Sequence, residues 1–491
     1  MRKVHSIKYN FIMNCILKVS AFIFPLITFP YVSRVLGAAG NGQVSFASSL
    51  VSYFSMIATL GIPTYGVRIC AQCRDDKEKL SKTVQELLFI SIFMTLLAYS
   101  VLLIATFNVP KLLERRTIIC ISSISIGLTA VGMEWFYQAI EEYGYITYRN
   151  LLFKIISVVL MFLCVRDKED YILFAGVNVV GTVGSNILNL IRIRKYIYLK
   201  RFSHYNIRRH LKPIIVFFLF SVATMIYTSL DTVMLGFMSN DIQVGYYNAA
   251  TKMKNILVSL VTSLGVVLLP RASYYIENNF ENDFIRVIKK AFQFVIASAI
   301  PISIFFMIEA KDTILFLAGK EYRNAIPSMI IIIPTVFFIG LSNIIGMQIF
   351  IPIGLEKFTV FSTFVGALID LLLNSILIPI YGAAGAAIGT VIAEFGVLVV
   401  QIFQAIYMKK IRYIKIDWKD TIKVLTLSII ASVVLKVFHS TFKIDSYFFS
   451  LLCSCGIYFG IYIIGCVVLR ENIVNEYMIK YMIKYMKVKR K

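Results

Sequence analysis

VQELLFISIFMTLLAYSVLLIAT, residues 84–106, runs 23 residues with Glu86 as its one charge. As a helix it is about 35 Å long at 1.5 Å per residue, enough to cross a hydrocarbon layer of about 30 Å. A backbone in hydrocarbon must satisfy its own hydrogen bonds, so this stretch is a helix rather than a lone strand. Similar stretches recur at 11–33, 43–63, 117–138, 148–165, 171–191, 213–237, 246–269, 290–308, 325–353, 358–380, 383–407, 420–438 and 447–469. The expected fold is therefore all-α, a polytopic integral membrane protein with about 14 transmembrane helices. Composition agrees: 58% of the residues are hydrophobic and 16% charged, too little polar sequence to cover a water-soluble globule. The alternating ten-residue segments of a membrane β-barrel are absent from the sequence.

Lysine and arginine report sidedness. With a cytoplasmic N-terminus, about 35 of the 50 fall on the inner side, concentrated in 64–83, 192–212, 409–423 and the C-terminal tail. An even number of spans then leaves both termini in the cytoplasm. A net charge of +23 in a soluble protein suggests nucleic acid. Here the distribution follows the positive-inside rule, so no nucleic-acid partner is expected, and anionic membrane lipid is the partner the charge fits. In the tail Glu471–Lys491, Lys480, Lys484, Lys487 and Lys491 recur beside Tyr477, Tyr481 and Tyr485, the pattern of a basic interfacial helix. Before the first span there is no small-residue cleavage site, so that span is expected to be retained.

Several signals carry no chemistry. Cys70 and Cys73 form a lone C-x-x-C without a second Cys or His pair, and the four histidines do not cluster with carboxylates, so neither a metal nor a cofactor is expected. Gly382 to Gly389 mimics a dinucleotide loop but follows no soluble strand. Small residues at this spacing on a membrane helix permit close packing instead. No P-loop is visible, which argues against direct drive by ATP. Pro25, Pro30, Pro301, Pro327, Pro334 and Pro352 interrupt spans and fit bent helices.

A weak repeat organises the chain. Leu36-Gly37, Gly42 and Leu60-Gly61 in the first half correspond to Leu235-Gly236, Gly245 and Leu264-Gly265 in the second. Two six-helix lobes related by a pseudo-two-fold axis along the membrane normal, around a central cavity, account for it. The expected division is 1–200 and 201–412 for the lobes, 413–470 for two additional helices, and 471–491 for the basic amphipathic tail.

Charges inside the bilayer cost several kcal/mol and mark cavities or pairs. Lys18, Glu134, Lys154, Asp231, Lys252, Lys254, Asp370, Glu394 and Lys436 fall in spans. Lys154, Lys254 and Lys436 fit snorkelling to an interface. Lys18 and Lys252, with Arg34 near the outer end, form a candidate cationic site for an anionic head group. Glu134, Asp231, Asp370 and Glu394 are candidates for charge pairing or for proton or ion coupling.

Ordered motifs extend the reading. Phe29-Pro30-Tyr31-Val32-Ser33-Arg34-Val35-Leu36-Gly37 is followed by Glu134-Trp135-Phe136-Tyr137-Gln138, Asp231-Thr232-Val233-Met234-Leu235-Gly236, Gly245-Tyr246-Tyr247-Asn248-Ala249 and Leu268-Leu269-Pro270-Arg271. In this order the chain resembles the Wzx-type polysaccharide flippases of the multidrug/oligosaccharidyl-lipid/polysaccharide exporter superfamily. That resemblance implies a transporter rather than an enzyme. Its cargo would be an undecaprenyl-pyrophosphate-linked oligosaccharide repeat unit, flipped across the bacterial cytoplasmic membrane by alternating access for capsule or O-antigen synthesis. It also implies polysaccharide polymerase and chain-length machinery as partners. The alternative is an ion-coupled exporter of small molecules or drugs with a related fold. An integral-membrane enzyme fits less well, since the external loops, at most about 15 residues, are too short to hold sugars for catalysis.

Overall fold

The computed structural model describes residues 7–414, 416–442 and 444–469. The basic tail Glu471–Lys491 lies outside the described residues. Regular structure among them is helical throughout. Ten helices are long and apolar enough to cross a membrane, and up to thirteen if each of three bent pairs is one span. The chain divides into two compact units at Gly245 and Tyr246.

The first unit contains α1 (Ile7–Thr59), α2 (Ile62–Gln72), α3 (Lys77–Asn108), α4 (Pro110–Leu113), α5 (Arg116–Gly132), α6 (Glu134–Ala139), α7 (Tyr143–Cys164), α8 (Tyr171–Val179), the π-helical turn Val180–Gly184, α9 (Asn186–Arg192), α10 (Arg208–Met238) and the start of α11 (Asp241–Glu277). α1 has 53 residues and joins the stretches expected at 11–33 and 43–63. The loop expected between them contracts to one non-helical residue, Gly37, at φ 67° and ψ −173°. A Cβ is strained in that region, so the Leu-Gly at 36–37 makes the break and the chain resumes helix at once.

The lateral solvent of the first unit is legible on α3. Phe93, Leu96, Ile104 and Phe107 face outward, while Ser81, Ser91, Ala98 and Thr106 are buried. Large apolar groups turned outward, with small and hydroxyl groups among the buried Leu87, Ile90 and Leu102, is the arrangement of a helix packed in lipid. The helix begins with Asp76, whose carboxylate accepts from the amides of Glu78 and Lys79, both at 3.0 Å. These donors satisfy two of the orphan N–H groups of the first turn. An aromatic core, with Tyr65, Trp135, Phe136, Tyr137 and Tyr196, packs α2, α3 and α6 together.

The second unit contains the rest of α11, then α12 (Glu281–Ile308), α13 (Ala310–Ala318), α14 (Ile326–Ile332), α15 (Thr335–Asn343), the π-helical run Ile344–Phe350, α16 (Glu356–Tyr381), α17 (Ala383–Tyr407), α18 (Trp418–Thr441) and α19 (Tyr447–Val468). α16 and α17 form a tight hairpin about Gly382. Ala383, Ala386 and Ala387 are buried, and Gly385 lies against the Leu377 carbonyl. The small-residue run from Gly382 thus serves helix packing. α18 and α19 dock on α12 through Ala431, Leu435, Tyr458 and Phe305.

Bends follow proline in one case of three. Lys320–Ile332 and Thr335–Phe350 meet at 41° around Pro334. α10 bends by 55° between Leu219 and Thr224, and α11 by 40° between Ser263 and Leu268, where Gly265 stands. Pro25, Pro30 and Pro301 remain within helices, and Pro327 occupies the first turn of α14, where its missing N–H costs no helical hydrogen bond.

Candidate functional site

Lys18 and Arg34, both exposed, lie on α1. Sixteen residues of helix separate them, about 24 Å, so they do not act as one clamp within α1. The Arg34 guanidinium donates to the Pro30 carbonyl at 2.8 Å, which folds the side chain back along the helix. Lys154 is half-buried and donates to Ser20 Oγ at 2.9 Å, so it ties α7 to α1 rather than reaching for an interface. Asp231 on α10 is 8% exposed.

Glu134 takes part in a tie of four helices. Its carboxylate lies 2.6 Å from Nη2 of Arg149 on α7, while Arg149 Nη1 donates to Ser185 Oγ at 3.0 Å and Asn186 Oδ1 at 2.8 Å. Asn186 in turn donates to the Leu128 carbonyl of α5. A buried guanidinium with a carboxylate and two neutral acceptors has most of its hydration replaced, which makes the cluster rigid. The two residues are fifteen apart in sequence, but only the fold brings them into contact.

A second cluster is one that sequence reasoning missed. Glu86 and His210 are fully buried; the Glu86 carboxylate lies 2.8 Å from His210 Nε2 and 2.6 Å from Arg209 Nη2, and it accepts from the Asn206 amide at 2.6 Å. His210 Nδ1 is 2.8 Å from the Tyr65 hydroxyl. The signal was Glu86 itself, a lone carboxylate at the head of an otherwise apolar span, which required a partner. Its partners are 120 to 124 residues away, so spacing does not identify them.

In the second unit, Asp370 and Asn374 on α16 face α17, which carries Thr390 and Glu394. All four are buried. Gly389 makes the approach possible: a Cβ there would meet Asn374 Oδ1 and lie 3.3 Å from Asp370 Oδ1. Thr390 Oγ1 is 2.9 Å from the Tyr247 hydroxyl of α11. Farther along the hairpin, Gln401 Nε2 donates to Ser362 Oγ at 3.2 Å. The hairpin therefore buries two of the expected carboxylates, Asp370 beside Gly389 and Glu394 five residues farther along α17. Lys252, on α11, is half-buried.

The first unit also contains a cavity of about 420 Å³ that the sequence reading did not anticipate. One wall is a stripe on α1, Ser48, Ser52, Ser55 and Thr59, at spacings of four, three and four that place them on one helix face. Ser122, Ser125 and Thr129 of α5 form the second wall by the same rule, and Asn178 with Thr182 the third. Thr182 belongs to the π-helical turn. The signal was present as hydroxyl residues at helical spacing in two spans and as Asn178 and Thr182 in a third, but one stripe alone reads as helix packing.

The chain can now be set beside known proteins. The family described as polysaccharide biosynthesis protein matches residues 7–276. A putative O-antigen transporter of Escherichia coli (strain K12) is 25% identical over 391 residues, covering 79% of this chain and 94% of that protein. A putative O-antigen transporter of Shigella dysenteriae is 27% identical over 395 residues, covering 79% and 97%. Among solved structures, the lipid II flippase MurJ in an inward closed conformation matches 94% of this chain and all of that one, with a TM-score of 0.75 at 16% identity. An inward-facing multidrug resistance MATE family transporter matches 80% of this chain with a TM-score of 0.54 at 13% identity. At these identities the structural matches establish the fold.

Proposed function

The chain belongs to the polysaccharide biosynthesis protein family, and on that premise we propose that it flips an undecaprenyl-pyrophosphate-linked oligosaccharide across the bacterial cytoplasmic membrane. The observation that carries the reading is that two putative O-antigen transporters align with it over 94% and 97% of their own lengths. The fold it shares with a lipid II flippase is the physical frame for such a task.

In this reading both termini are cytoplasmic and the two six-helix lobes rock about a central cavity in alternating access. Lys18, Arg34 and Lys252 draw in the pyrophosphate head group while the polyprenyl tail stays in lipid. Asp231, Asp370 and Glu394 are the groups through which a proton or cation gradient gives direction, and the burial of all three supports that role. Glu134 serves as a charge partner, in keeping with its ion pair to Arg149. The basic tail holds anionic lipid, and polymerase and chain-length machinery receive the product. Export of small molecules by the same fold ranks second, because the likeness to a multidrug transporter is the weaker of the two structural matches.

The test is sidedness. In a host lacking this gene and any redundant flippase, the full-length lipid-linked glycan should accumulate on the inner leaflet, protected in sealed right-side-out vesicles from an impermeant glycosidase or lectin. Expression of this chain alone should restore access. Unchanged sidedness would overturn the reading in favour of small-molecule export.

A further inference from the structure

The cavity among α1, α5, α8 and the π-helical turn has a chemical bias that follows from where its hydroxyl protons go. Ser52 donates to the Ser48 carbonyl at 2.7 Å, Thr59 to Ser55 at 2.9 Å, Ser125 to Ser122 at 2.7 Å and Thr182 to Asn178 at 2.7 Å. Each of these side chains has used its one donor on its own helix and offers lone pairs to the cavity. The Asn178 amide is likewise directed at Ser48 Oγ, at 3.4 Å.

Such a lining selects by charge as well as by hydrogen bonding. A phosphate or carboxylate brings acceptors only: it finds these four donors occupied, is left with the hydroxyls of Ser48, Ser55, Ser122 and Thr129, and meets no lysine or arginine among the lining residues to balance its charge. A cation finds oxygen ligands, but among the lining residues there is no carboxylate to balance its charge at membrane depth. An apolar molecule would pack on Met56, Val179, Val183 and Met225, which complete the lining, but would strip water from the hydroxyls without replacing their hydrogen bonds. A ligand rich in neutral hydroxyl donors satisfies the lining. The volume lies within the range of about 300–1,000 Å³ typical of small-molecule sites and far above the ~30 Å³ of one water.

Two features show that the space is built rather than left over. Two helices each turn a hydroxyl stripe toward it and a third wall adds Asn178 and Thr182, whereas small residues between membrane helices ordinarily bring the backbones together and close the gap. The third wall also departs from α-helix at Val180–Gly184, and π turns of this kind are frequent at functional sites. We infer that this cavity is a saccharide subsite, holding one neutral sugar residue of the cargo through hydroxyl groups that donate to Ser52, Thr59, Ser125 and Thr182. The assignment of that sugar to the cargo rests on the flippase reading; the sugar site itself does not.

The experiment is saturation-transfer-difference NMR on the purified full-length chain in detergent. The probes are methyl glycosides of a hexose, a 6-deoxyhexose and an N-acetylhexosamine, with methyl glucuronate as the charged counterpart. Transfer to at least one neutral glycoside is expected, with little to the glucuronate. It should be lost in S122L, which fills the cavity, and reduced in S52A/S125A, which removes acceptors at almost unchanged size. S100L, on the exposed face of α3, controls for an added leucine and should retain the signal. Transfer that survives in both cavity variants, or transfer to none of the neutral glycosides with wild-type protein, overturns the site; the second result means the cavity holds water only. Flipping without sugar transfer would refute the subsite alone, and sugar transfer without flipping would refute the transport reading alone.

Discussion

Gly42 and Gly245 meet back to back: a Cβ on Gly42 would run into the Asp241 carbonyl and lie 3.0 Å from the Gly245 amide, and a Cβ on Gly245 would run into the Ala38 carbonyl. These are the two positions that the internal repeat pairs, each following a Leu-Gly and opening the next helical stretch. Their contact packs the start of α11 against α1 at backbone distance. Nearby, Arg115 pairs with Asp241 at 2.8 Å and Lys111 donates to the Phe237 carbonyl at 2.7 Å, a cation at the C-terminal end of α10 where the helix dipole favours it.

Substituting either glycine should therefore destabilise the fold. G42A and G245A are each expected to cost about 1–3 kcal/mol, the range for overpacking against groups that cannot move aside. G460A, with nothing within 4 Å of the added carbon, should leave the melting midpoint in detergent unchanged or slightly raised. Equal midpoints for all three variants would contradict the close approach.

The Glu134–Arg149 pair should show coupling in a double-mutant cycle. Arg149 has 2% of its side chain exposed and Glu134 has 37%, so solvent screens one end of the pair. E134A is expected to cost about 2 kcal/mol, less than the ~3–5 of a fully buried pair broken on one side. The penalty should shrink when Arg149 is already replaced by leucine. Additive effects would show that the pair contributes nothing beyond packing.

Transport should depend on the cations without folding doing so. K18A and K252A are each expected to slow flipping about tenfold, the consequence of losing ~1.5 kcal/mol of hydrogen bonding to a charged group. Membrane insertion and detergent stability should match wild type. The leaflet assay reads the first effect and size-exclusion profiles the second; wild-type flipping in both variants would remove them from the cargo path.

Asp76 gives a pH signature outside the membrane. The Lys79 and Glu78 amides favour its ionised form and hold its carboxyl below the usual carboxylate range. The stabilisation it supplies is present above the unfolded value, about 3.9, and is lost as pH falls through the lower folded value. The midpoint difference between wild type and D76A should therefore be constant near neutrality and diminish below about pH 4. A difference that grows on acidification would reverse the assignment.

The solvent, the helical class and the family resemblance are legible in the amino-acid sequence alone. Charge scarcity over about 20 residues, repeated along the chain, admits one solution in hydrocarbon. The amino-acid sequence also identified the Leu-Gly breaks at 36–37 and 60–61, where a glycine at positive φ is a local property of the backbone; Gly236 and Gly265 of the second half lie within α10 and α11 without positive φ. Partnerships required the tertiary structure. Glu134 and Asp370 were legible as charges needing a reason, yet that Glu134 meets Arg149 and that Asp370 lies near Gly389 depends on which helices become neighbours. The Glu86–His210 cluster and the hydroxyl cavity depend on the same choice, since each joins residues separated by many tens of positions. A single span reports only its own periodicity. Which faces of different spans turn toward one another is decided by packing among helices whose outer surfaces are almost uniformly apolar, and that information is distributed over the whole fold.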